Sequence, residues 1–199
     1  VLIDSASALR VPTGELTLRG SHNVSNACAA ALAARLVGVH ADDIAEVLRE
    51  FEGLPHRMQY VATVADVEYI DDSKATNVGA ALAAIEGLVG STGKIVLIAG
   101  GVDKGGSYEP LFERMANEGR ALVTIGEAAP LIEAAFGGSS LAQGRAGSMN
   151  DAVRRAASFA QPGDTVLLAP ACSSFDMFRS YSERGEVFQR AVQTLGGHS

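Results

Sequence analysis

The sequence contains few lysines, few cysteines and no long hydrophobic run. Lys74, Lys94 and Lys104 are its only lysines, and 23 acidic residues against 16 basic ones give a net charge of −7. Such a composition lacks the clustered cations that nonspecific nucleic-acid or anionic-membrane binding requires. No apolar segment approaches the roughly 20 residues that cross a bilayer. We therefore predict a protein that binds neither nucleic acid nor membrane.

The two cysteines, Cys28 and Cys172, lie far apart in the chain. A chain of 199 residues that is 47% hydrophobic can form a sizeable core without disulfide bonds. Reduced thiols are the default in the cytosol, so we predict that both cysteines are free. Cys172 has no histidine nearby in the sequence, which favours a buried structural thiol over a nucleophile.

Several common motifs for nucleotide and metal binding are absent. No G-x-G-x-x-G opens a βαβ unit, so the dinucleotide fingerprint is missing. The segment GSTGK around Lys94 resembles a Walker A loop, but only two residues separate its glycines and Ile95 follows the lysine. His22 and His56 lack the spacing and partners of metal ligands. We predict that Lys94 is a surface residue at the start of a strand and that this chain supplies no metal site.

Residues 56–199 alternate between strand-like and helix-like segments. An antiparallel pair, MQYVATV and DVEYID, is followed by the strands KIVLIAGG, ALVTIG, a weak one near residues 143–145, and DTVLLAP. Helices are predicted near residues 77–88, 109–118, 127–136, 150–160 and 183–195. Nearly continuous apolar strands that alternate with helices are typical of a parallel sheet covered on both faces. The prediction is a Rossmann-like α/β fold with a mostly parallel sheet.

Residues 1–55 follow a different pattern. A strand, a turn at residues 12–14 and the strand ELTLRG precede two predicted helices, SHNVSNACAAALAARLVG and DDIAEVLREF. The segment EGLPHR breaks the pattern and predicts a domain boundary. Because the chain starts at Val1 inside a strand-like run, we expect it to be a piece of a longer protein, with residues 1–55 ending a preceding domain.

Three unusual loops follow strands of the predicted parallel sheet: DDSKATN at residues 71–77, GGVDKGG at 100–106 and APACSSFDMFRSY at 169–181. Ligands of open parallel sheets bind beyond the carboxyl ends of the strands. Lys74 and Lys104 each follow a strand, beside an aspartate and close to a helix start, where phosphates and carboxylates bind. Either loop alone is more typical of a solvated turn. Two of three lysines at one sheet edge favour a binding site.

Five ordered segments resemble the Mur ligase family over nearly the whole chain: SHNVSNACAAALAA, GLPHR, YIDDSKATN, LIAGGVDKGG and LLAPACSSFDMFRSYSERG. The family has a UDP-sugar domain, a central ATPase domain and a C-terminal Rossmann-like domain that receives an amino acid. The resemblance implies that residues 1–55 are the tail of the central ATP-binding domain and that residues 56–199 are the C-terminal amino-acid-binding domain.

The resemblance also implies an activity. The expected reaction adds glutamate to UDP-N-acetylmuramoyl-L-alanine in peptidoglycan synthesis, with ATP and an acyl-phosphate intermediate. The expected protein is a cytoplasmic monomer. Mg²⁺ is expected to accompany ATP, with its ligands mainly in the part of the central domain outside this sequence. This piece alone is not expected to catalyse ligation, because a Walker A lysine is not in it.

Roles for individual residues follow from the resemblance alone. Lys74 is expected near the phosphates as the catalytic lysine. The expected ATP-binding residues are Asn23, Asn26, Arg57 and Asp72. The expected glutamate-binding residues are Thr76, Lys104, Ser174, Phe175 and Tyr181. The segment GGVDKGG departs from the GGDGK form of the family, so Asp103 receives no role.

Two alternatives stay open at this point. The chain could belong to another amino-acid ligase of the same family, such as a folylpolyglutamate-type enzyme, although the loops DDSKATN and PACSSFDMF favour the glutamate-adding muramoyl ligase. It could also be a non-catalytic α/β binding module. A Walker A motif encoded upstream of Val1 would favour a ligase over a binding module.

Overall fold

The computed structural model describes residues 9–17, 21–90 and 93–196. The chain divides into two compact units, Val1–Leu54 and Pro55–Ser199. The boundary falls within the segment EGLPHR, where glycine and proline interrupt the helical pattern. The identification of the first unit as the tail of an ATP-binding domain stays a prediction.

Two helices, α1 (Ser21–Leu36) and α2 (Ala41–Glu50), form most of the described part of the first unit. Gly38, with φ +91°, follows α1 and adopts the left-handed conformation that commonly ends a helix. The predicted strand ELTLRG is not observed in its described part, because Thr13–Glu15 form a single 3-10 turn. The rest of that strand at residues 18–20 lies outside the described residues. So do residues 1–8 of the strand predicted at the start of the chain, and residues 9–11 are not part of a strand.

The second unit contains six strands and five helices within the described residues, close to the predicted positions. The strands are β1 (Gln59–Val64), β2 (Val67–Asp71), β3 (Ile95–Gly100), β4 (Gly119–Ile125), β5 (Ala142–Arg145) and β6 (Thr165–Leu168). The helices are α3 (Val78–Glu86), α4 (Glu109–Glu118), α5 (Ala129–Ala135), α6 (Met149–Phe159) and α7 (Tyr181–Gly196).

The strands form one sheet in the order β1-β2-β6-β3-β4-β5. β1 is antiparallel to β2, and every other neighbouring pair is parallel. The prediction of a mostly parallel sheet is confirmed. Because β2, β6 and β3 are adjacent and parallel, their carboxyl ends lie side by side, and so do the loops that follow them.

Two hydrophobic clusters cover the two faces of the sheet. Leu97 of β3 faces α3, α4 and α5, whereas its neighbours Val96 and Ile98 face α6 and α7. All three side chains are completely buried. Strands that are apolar on both faces therefore result from helices on both sides, as the continuous hydrophobic runs predict.

Polar side chains cap the first turns of two helices. The Asn77 side chain accepts a hydrogen bond of 2.9 Å from the Ala80 amide and thereby starts α3 directly after the loop at residues 71–77. Ser148 accepts from the Asp151 amide at the start of α6. Among the described residues, no helix has the length and apolar character needed to span a membrane.

Candidate active site at the carboxyl edge of the sheet

Backbone hydrogen bonds join the three loops that follow β2, β3 and β6. Val102 and Ser173 form an isolated bridge, with N–H···O distances of 2.9 and 3.2 Å. The Ala171 amide donates to the Ala75 carbonyl at 2.9 Å. The loops at residues 71–77, 100–106 and 169–181 therefore form one connected surface, which we call the carboxyl-edge site.

Glycine is required where the second loop leaves β3. Gly100 and Gly101 have φ values of +130° and +134°, which residues with a side chain rarely adopt. A Cβ atom on Gly101 would also collide with the Ser173 carbonyl oxygen. The close approach of the second and third loops therefore depends on this glycine.

Lys104 and Thr76 come together from different loops. The Lys104 ammonium group donates to the Thr76 hydroxyl at 3.3 Å, and the lysine side chain is exposed. An exposed cation beside a hydroxyl can bind a carboxylate through charge-assisted hydrogen bonds. Both residues are expected to bind glutamate, and the structure brings them together.

Lys74 packs against the ring of Tyr181. The ammonium nitrogen lies 4.2 Å from the ring centroid, within the range of a cation–π interaction. The backbone amide of Lys74 donates to the His56 carbonyl at 3.1 Å. The contact fixes the side chain while its ammonium group keeps hydrogen-bonding capacity for an anion. Lys74 and Tyr181 are expected to serve different ligands, and the structure brings these two residues together as well.

Ser174 and Phe175 differ sharply in exposure. Ser174 is 2% exposed, and its carbonyl accepts from the amides of Met177 and Phe178. Phe175 is 74% exposed. A large exposed aromatic ring in this loop is available to a ligand, whereas a ligand can reach the Ser174 hydroxyl only after local rearrangement. The glutamate-binding roles of Ser174 and Phe175 stay predictions.

Asp72 is a buried carboxylate at the start of the first loop. It is 8% exposed, and one carboxylate oxygen accepts from the Met58 amide at 3.3 Å. Burial raises the pKa of Asp72 to about 6, with a further rise from the charge of Asp71; the Met58 hydrogen bond and the charge of Arg57 act in the opposite direction. Arg57 itself is exposed. The two residues are thus linked electrostatically, and their ATP-binding roles stay predictions.

The remaining ATP-binding candidates lie in the first unit. Asn23 and Asn26 are three residues apart on α1, and such a pair shares one face of a helix. Asn23 is half-buried and Asn26 is exposed. The predicted helix is observed, and the role of both side chains in binding ATP stays a prediction.

A buried network around His56 was not anticipated from the sequence, where His56 was considered only as a metal ligand. His56 Nδ1 lies 2.7 Å from Asp71 Oδ2, and Gln189 Nε2 donates to the same oxygen at 2.8 Å. His56 has a positive φ of 62°, a strained conformation for a histidine. A Cβ on Gly185 would collide with the His56 ring. The only sequence signal is the Gly-Leu-Pro-His-Arg segment, which indicated a domain boundary.

A second buried network anchors the loop that carries Lys104. The Tyr108 hydroxyl donates to Asp103 Oδ1 at 2.6 Å and lies 3.1 Å from the Cys172 sulfur. Burial and the contact with Asp103 raise the pKa of Tyr108, while the Tyr108 hydrogen bond lowers the pKa of Asp103. Burial also raises the pKa of Cys172, so its thiol stays protonated. Cys28 and Cys172 are both free, as predicted.

The described residues include no group of three or more His, Cys, Asp or Glu side chains that could hold a metal ion. Lys94, predicted to be an exposed residue at the start of a strand, is exposed and precedes β3; its ammonium group donates to the Asn117 carbonyl at 2.6 Å. Neither observation assigns a ligand to the carboxyl-edge site.

Comparison with solved structures identifies the fold. The chain is similar to the UDP-N-acetylmuramate-alanine ligase of Thermotoga maritima, with a TM-score of 0.64 and 19% identity over 90% of this chain and 39% of that one. A pseudomurein peptide ligase type C from Methanothermus fervidus gives a TM-score of 0.66 and 20% identity over 90% of this chain and 37% of that one. The MurF ligase of Thermotoga maritima in complex with ADP gives a TM-score of 0.62 and 20% identity over 87% of this chain and 39% of that one.

Sequence comparison gives closer relatives. The chain is 50% identical over 185 residues to the UDP-N-acetylmuramoylalanine--D-glutamate ligase of Salinibacter ruber, which covers 93% of this chain and 40% of that protein. The enzyme of the same name from Pseudomonas aeruginosa is 49% identical over 186 residues, which correspond to 93% of this chain and 41% of that protein. The chain thus spans about two fifths of the length of these relatives. The family described as "Mur ligase, glutamate ligase domain" matches residues 56–172, and the chain belongs to the Mur ligase family.

Proposed function

We propose that this chain is the C-terminal part of an ATP-dependent ligase that adds D-glutamate to UDP-N-acetylmuramoyl-L-alanine in peptidoglycan synthesis. Relatives that carry this activity in their names are about half identical to the chain, which supports the choice of substrates. The observation that carries the proposal is the pairing of an exposed lysine, Lys104, with the Thr76 hydroxyl at the carboxyl edge of the sheet.

The carboxyl-edge site suits an amino acid that carries two carboxylates. In the proposal, Lys104 and Thr76 bind one carboxylate of D-glutamate, and the loop with Ser174 and Phe175 encloses the rest of the molecule. A charge-assisted hydrogen bond to a carboxylate contributes about 1.5–3 kcal/mol, enough to distinguish a dicarboxylic amino acid from a neutral one. Tyr181 is proposed to contact the glutamate as well, while its ring lies against the Lys74 ammonium group.

Lys74 is assigned to the phosphate side of the reaction. ATP phosphorylates the carboxylate of UDP-N-acetylmuramoyl-L-alanine, and the glutamate amine then attacks the acyl phosphate and releases phosphate. Charge accumulates on the phosphoryl oxygens as they transfer, and a fixed cation stabilises it. Lys74 is held for this purpose by the Tyr181 ring, which the ammonium group contacts at 4.2 Å.

ATP-binding roles are proposed for residues of each unit separately. In the first unit, Asn23 and Asn26 are proposed to contact the adenine and ribose of ATP. In the second unit, Arg57 is proposed to contact the adenine and ribose as well, and Asp72 is proposed as a carboxylate near the nucleotide. Mg²⁺ would be supplied with ATP and neutralise phosphate charge.

The test uses the complete protein that contains this chain. ADP release is measured with ATP, Mg²⁺ and UDP-N-acetylmuramoyl-L-alanine while the amino acid is varied among D-glutamate, L-glutamate, L-alanine and meso-diaminopimelate. D-Glutamate alone should support turnover, and mass spectrometry should detect the ligated product. Turnover with a different amino acid would overturn the substrate assignment.

The alternatives give distinct results in the same experiment. A folylpolyglutamate-type ligase would require a folate in place of the UDP-sugar substrate and would use L-glutamate. A non-catalytic binding module would release no ADP with any acceptor, yet could bind the amino acid in calorimetry. A cytoplasmic location and a monomeric state are further parts of the proposal, which fractionation and sedimentation would check.

A further inference from the structure

Arg184 is a buried cation that bonds two of the three loops of the carboxyl-edge site. It lies in the first turn of α7 and is 0% exposed. Its Nε donates to the Ser73 hydroxyl at 2.9 Å, and one terminal nitrogen donates to the Ser73 carbonyl at 2.8 Å. The other terminal nitrogen donates to the Cys172 carbonyl at 3.1 Å. One guanidinium group therefore joins the loop at residues 71–77 to the loop at residues 169–181.

Stability alone does not explain a cation at this place. Within the described part of the chain, no carboxylate forms an ion pair with Arg184. Burial lowers the pKa of its guanidinium to about 10, and the more distant charges of Asp176 and Asp71 act only partly in the opposite direction. Burying a cation against neutral acceptors carries a large desolvation cost, and well-packed apolar residues often stabilise such positions better. A planar group with several fixed donors, by contrast, sets the geometry of its acceptors.

The acceptors of Arg184 adjoin the residues assigned to the reaction. Ser73 precedes Lys74 in the chain, and the Ser73 hydroxyl also donates to the Tyr181 carbonyl at 2.8 Å. The ring of Tyr181 in turn lies against the Lys74 ammonium group. The guanidinium group is therefore connected to Lys74 in two ways. One is the peptide bond between Ser73 and Lys74, and the other runs from the Ser73 hydroxyl to Tyr181, whose ring contacts Lys74.

The second loop is reached through Cys172. The next residue, Ser173, is bridged to Val102, which precedes Asp103 and Lys104. A shift of the Cys172 carbonyl would therefore move the loop that carries Ser174. Through the Val102–Ser173 bridge it would also displace the backbone next to Lys104. The hydrogen bonds of Arg184 thus connect the phosphate side and the amino-acid side of the proposed site.

We propose that Arg184 is a positioning residue, which sets the separation between Lys74 and the amino-acid pocket without touching either substrate. This inference rests on the proposed function. Because the amine of the incoming amino acid must meet the acyl phosphate in line, a displacement of about 1 Å between the two sides costs roughly a hundredfold in rate.

The first test is Arg184→Lys in the complete protein. Lysine keeps the charge but cannot reach three acceptors in a planar fork. We expect kcat to fall about 10- to 100-fold and the KM for D-glutamate to rise about fivefold or more, by the same misalignment argument, with little change in the KM for ATP. Arg190→Lys, at an exposed position of the same helix, is the matched control and should behave like wild type. A loss of kcat with unchanged KM for D-glutamate, as fewer folded molecules would give, refutes the proposal.

A double-mutant cycle tests the path through Lys74. If Arg184 acts on catalysis by positioning Lys74, then Arg184→Lys should lower kcat much less in a Lys74→Ala background than in wild type. Independent, additive losses in kcat would show that Arg184 does not act through Lys74 and would refute the inference.

Hydrogen exchange separates this inference from the proposed function, because it needs no substrate. In the 199-residue chain, Arg184→Lys should speed exchange at the amides of residues 72–77 and 171–176 by about tenfold or more, as expected for loss of about 1.4 kcal/mol of local protection, while β3 stays protected. Uniform loss of protection, or none in the loops, refutes the positioning role even when wild type ligates D-glutamate. Conversely, a wild type that does not ligate D-glutamate refutes the proposed function, and the exchange result still stands.

Ser73→Ala is the second variant in case Arg184→Lys does not fold. It removes the hydroxyl that lies between the Arg184 Nε and the Tyr181 carbonyl and keeps the bond to the Ser73 carbonyl. For Ser73→Ala we expect a smaller fall in kcat, about three- to tenfold, and a smaller rise in the KM for D-glutamate than for Arg184→Lys. The effects are smaller because only one of the three hydrogen bonds of the guanidinium is lost. Wild-type kinetics in Ser73→Ala would overturn the proposed path.

Discussion

Asp72→Asn is expected to stabilise the second unit. Asp72 is 8% exposed, and burial raises its pKa from 3.8 to about 6. Between these pH values the folded protein binds more protons than the unfolded chain, so the free energy of unfolding falls as the pH rises. Above about pH 7 the cost of burying the charged carboxylate is fully present. At 1.36 kcal/mol per pKa unit, the shift from 3.8 to about 6 corresponds to about 3 kcal/mol of lost folding stability. Asparagine keeps an oxygen for the Met58 amide and removes the charge.

Asp72→Asn is expected to increase the free energy of unfolding by an amount that depends on pH. At pH 8, Asp72→Asn should raise the free energy of unfolding by about 1–3 kcal/mol, whereas at pH 4, where the wild-type carboxyl is mostly protonated in the folded state, the difference should nearly vanish. Urea unfolding followed by tyrosine fluorescence measures it cleanly. The chain has no tryptophan, and all four tyrosines lie in the second unit, at positions 60, 69, 108 and 181.

The control and the kinetics complete the experiment. Asp66→Asn changes an exposed aspartate in the turn between β1 and β2 and should alter stability by less than about 0.5 kcal/mol at either pH. If Asp72→Asn destabilises the unit at pH 8, or gives equal gains at pH 4 and 8, then burial of a charged carboxylate is not what costs stability. In the complete protein the same variant should lose activity with ATP, because a charge retained at such a cost implies a role in the reaction.

Three further results are expected. In the complete protein, Lys104→Ala should raise the KM for D-glutamate about 10- to 100-fold with little effect on the KM for ATP, whereas Lys74→Ala should mainly lower kcat. Steady-state kinetics with each substrate varied would separate the two effects. A Lys104→Ala variant that alters only ATP binding would assign this loop to the nucleotide. Tyr108→Phe should reduce the free energy of unfolding by about 1–3 kcal/mol, because it leaves Asp103 and the Cys172 thiol without their shared hydroxyl; an unchanged urea midpoint would contradict this. The purified 199-residue chain should release no ADP from ATP, since a Walker A lysine is not in it, and ADP above a mock-purified background would count against that reasoning.

The fold of the second unit could be predicted because its signals are local and repeated. Apolar runs such as the one around Leu97 alternate with amphipathic helices, and a sheet buried on both faces is the arrangement that accommodates them. The helix start at Asn77 and the turn at Gly38 also follow from single residues with known preferences. The strand predicted at residues 15–20 fails in its described part, because the alternation of two or three apolar residues also fits a 3-10 turn followed by extended chain.

The candidate site could be predicted only in part. Lys74 and Lys104 were found because lysine is scarce and because both follow strands of one sheet edge. The partners of these lysines were not found, since a contact such as that between Lys74 and Tyr181 joins positions more than a hundred residues apart. His56 was considered only as a metal ligand, and nothing near it in the sequence indicates the carboxylate at Asp71 that it contacts.

The first half of α7 shows why such partners escape sequence reasoning. Arg184, Gly185 and Gln189 occupy one side of this helix and contact Ser73, His56 and Asp71 at the far end of the unit's sequence. An arginine and a glutamine in a helix of mixed polarity are indistinguishable from solvated residues until the opposite surface is known. Here that surface consists of His56, whose φ is positive, the buried carboxylate of Asp71 and the Ser73 hydroxyl and carbonyl, which take the place of water. The polar residues of α7 therefore stabilise a loop conformation that the loop's own sequence does not determine, and substitutions on this side of the helix should affect the site before they affect the sheet.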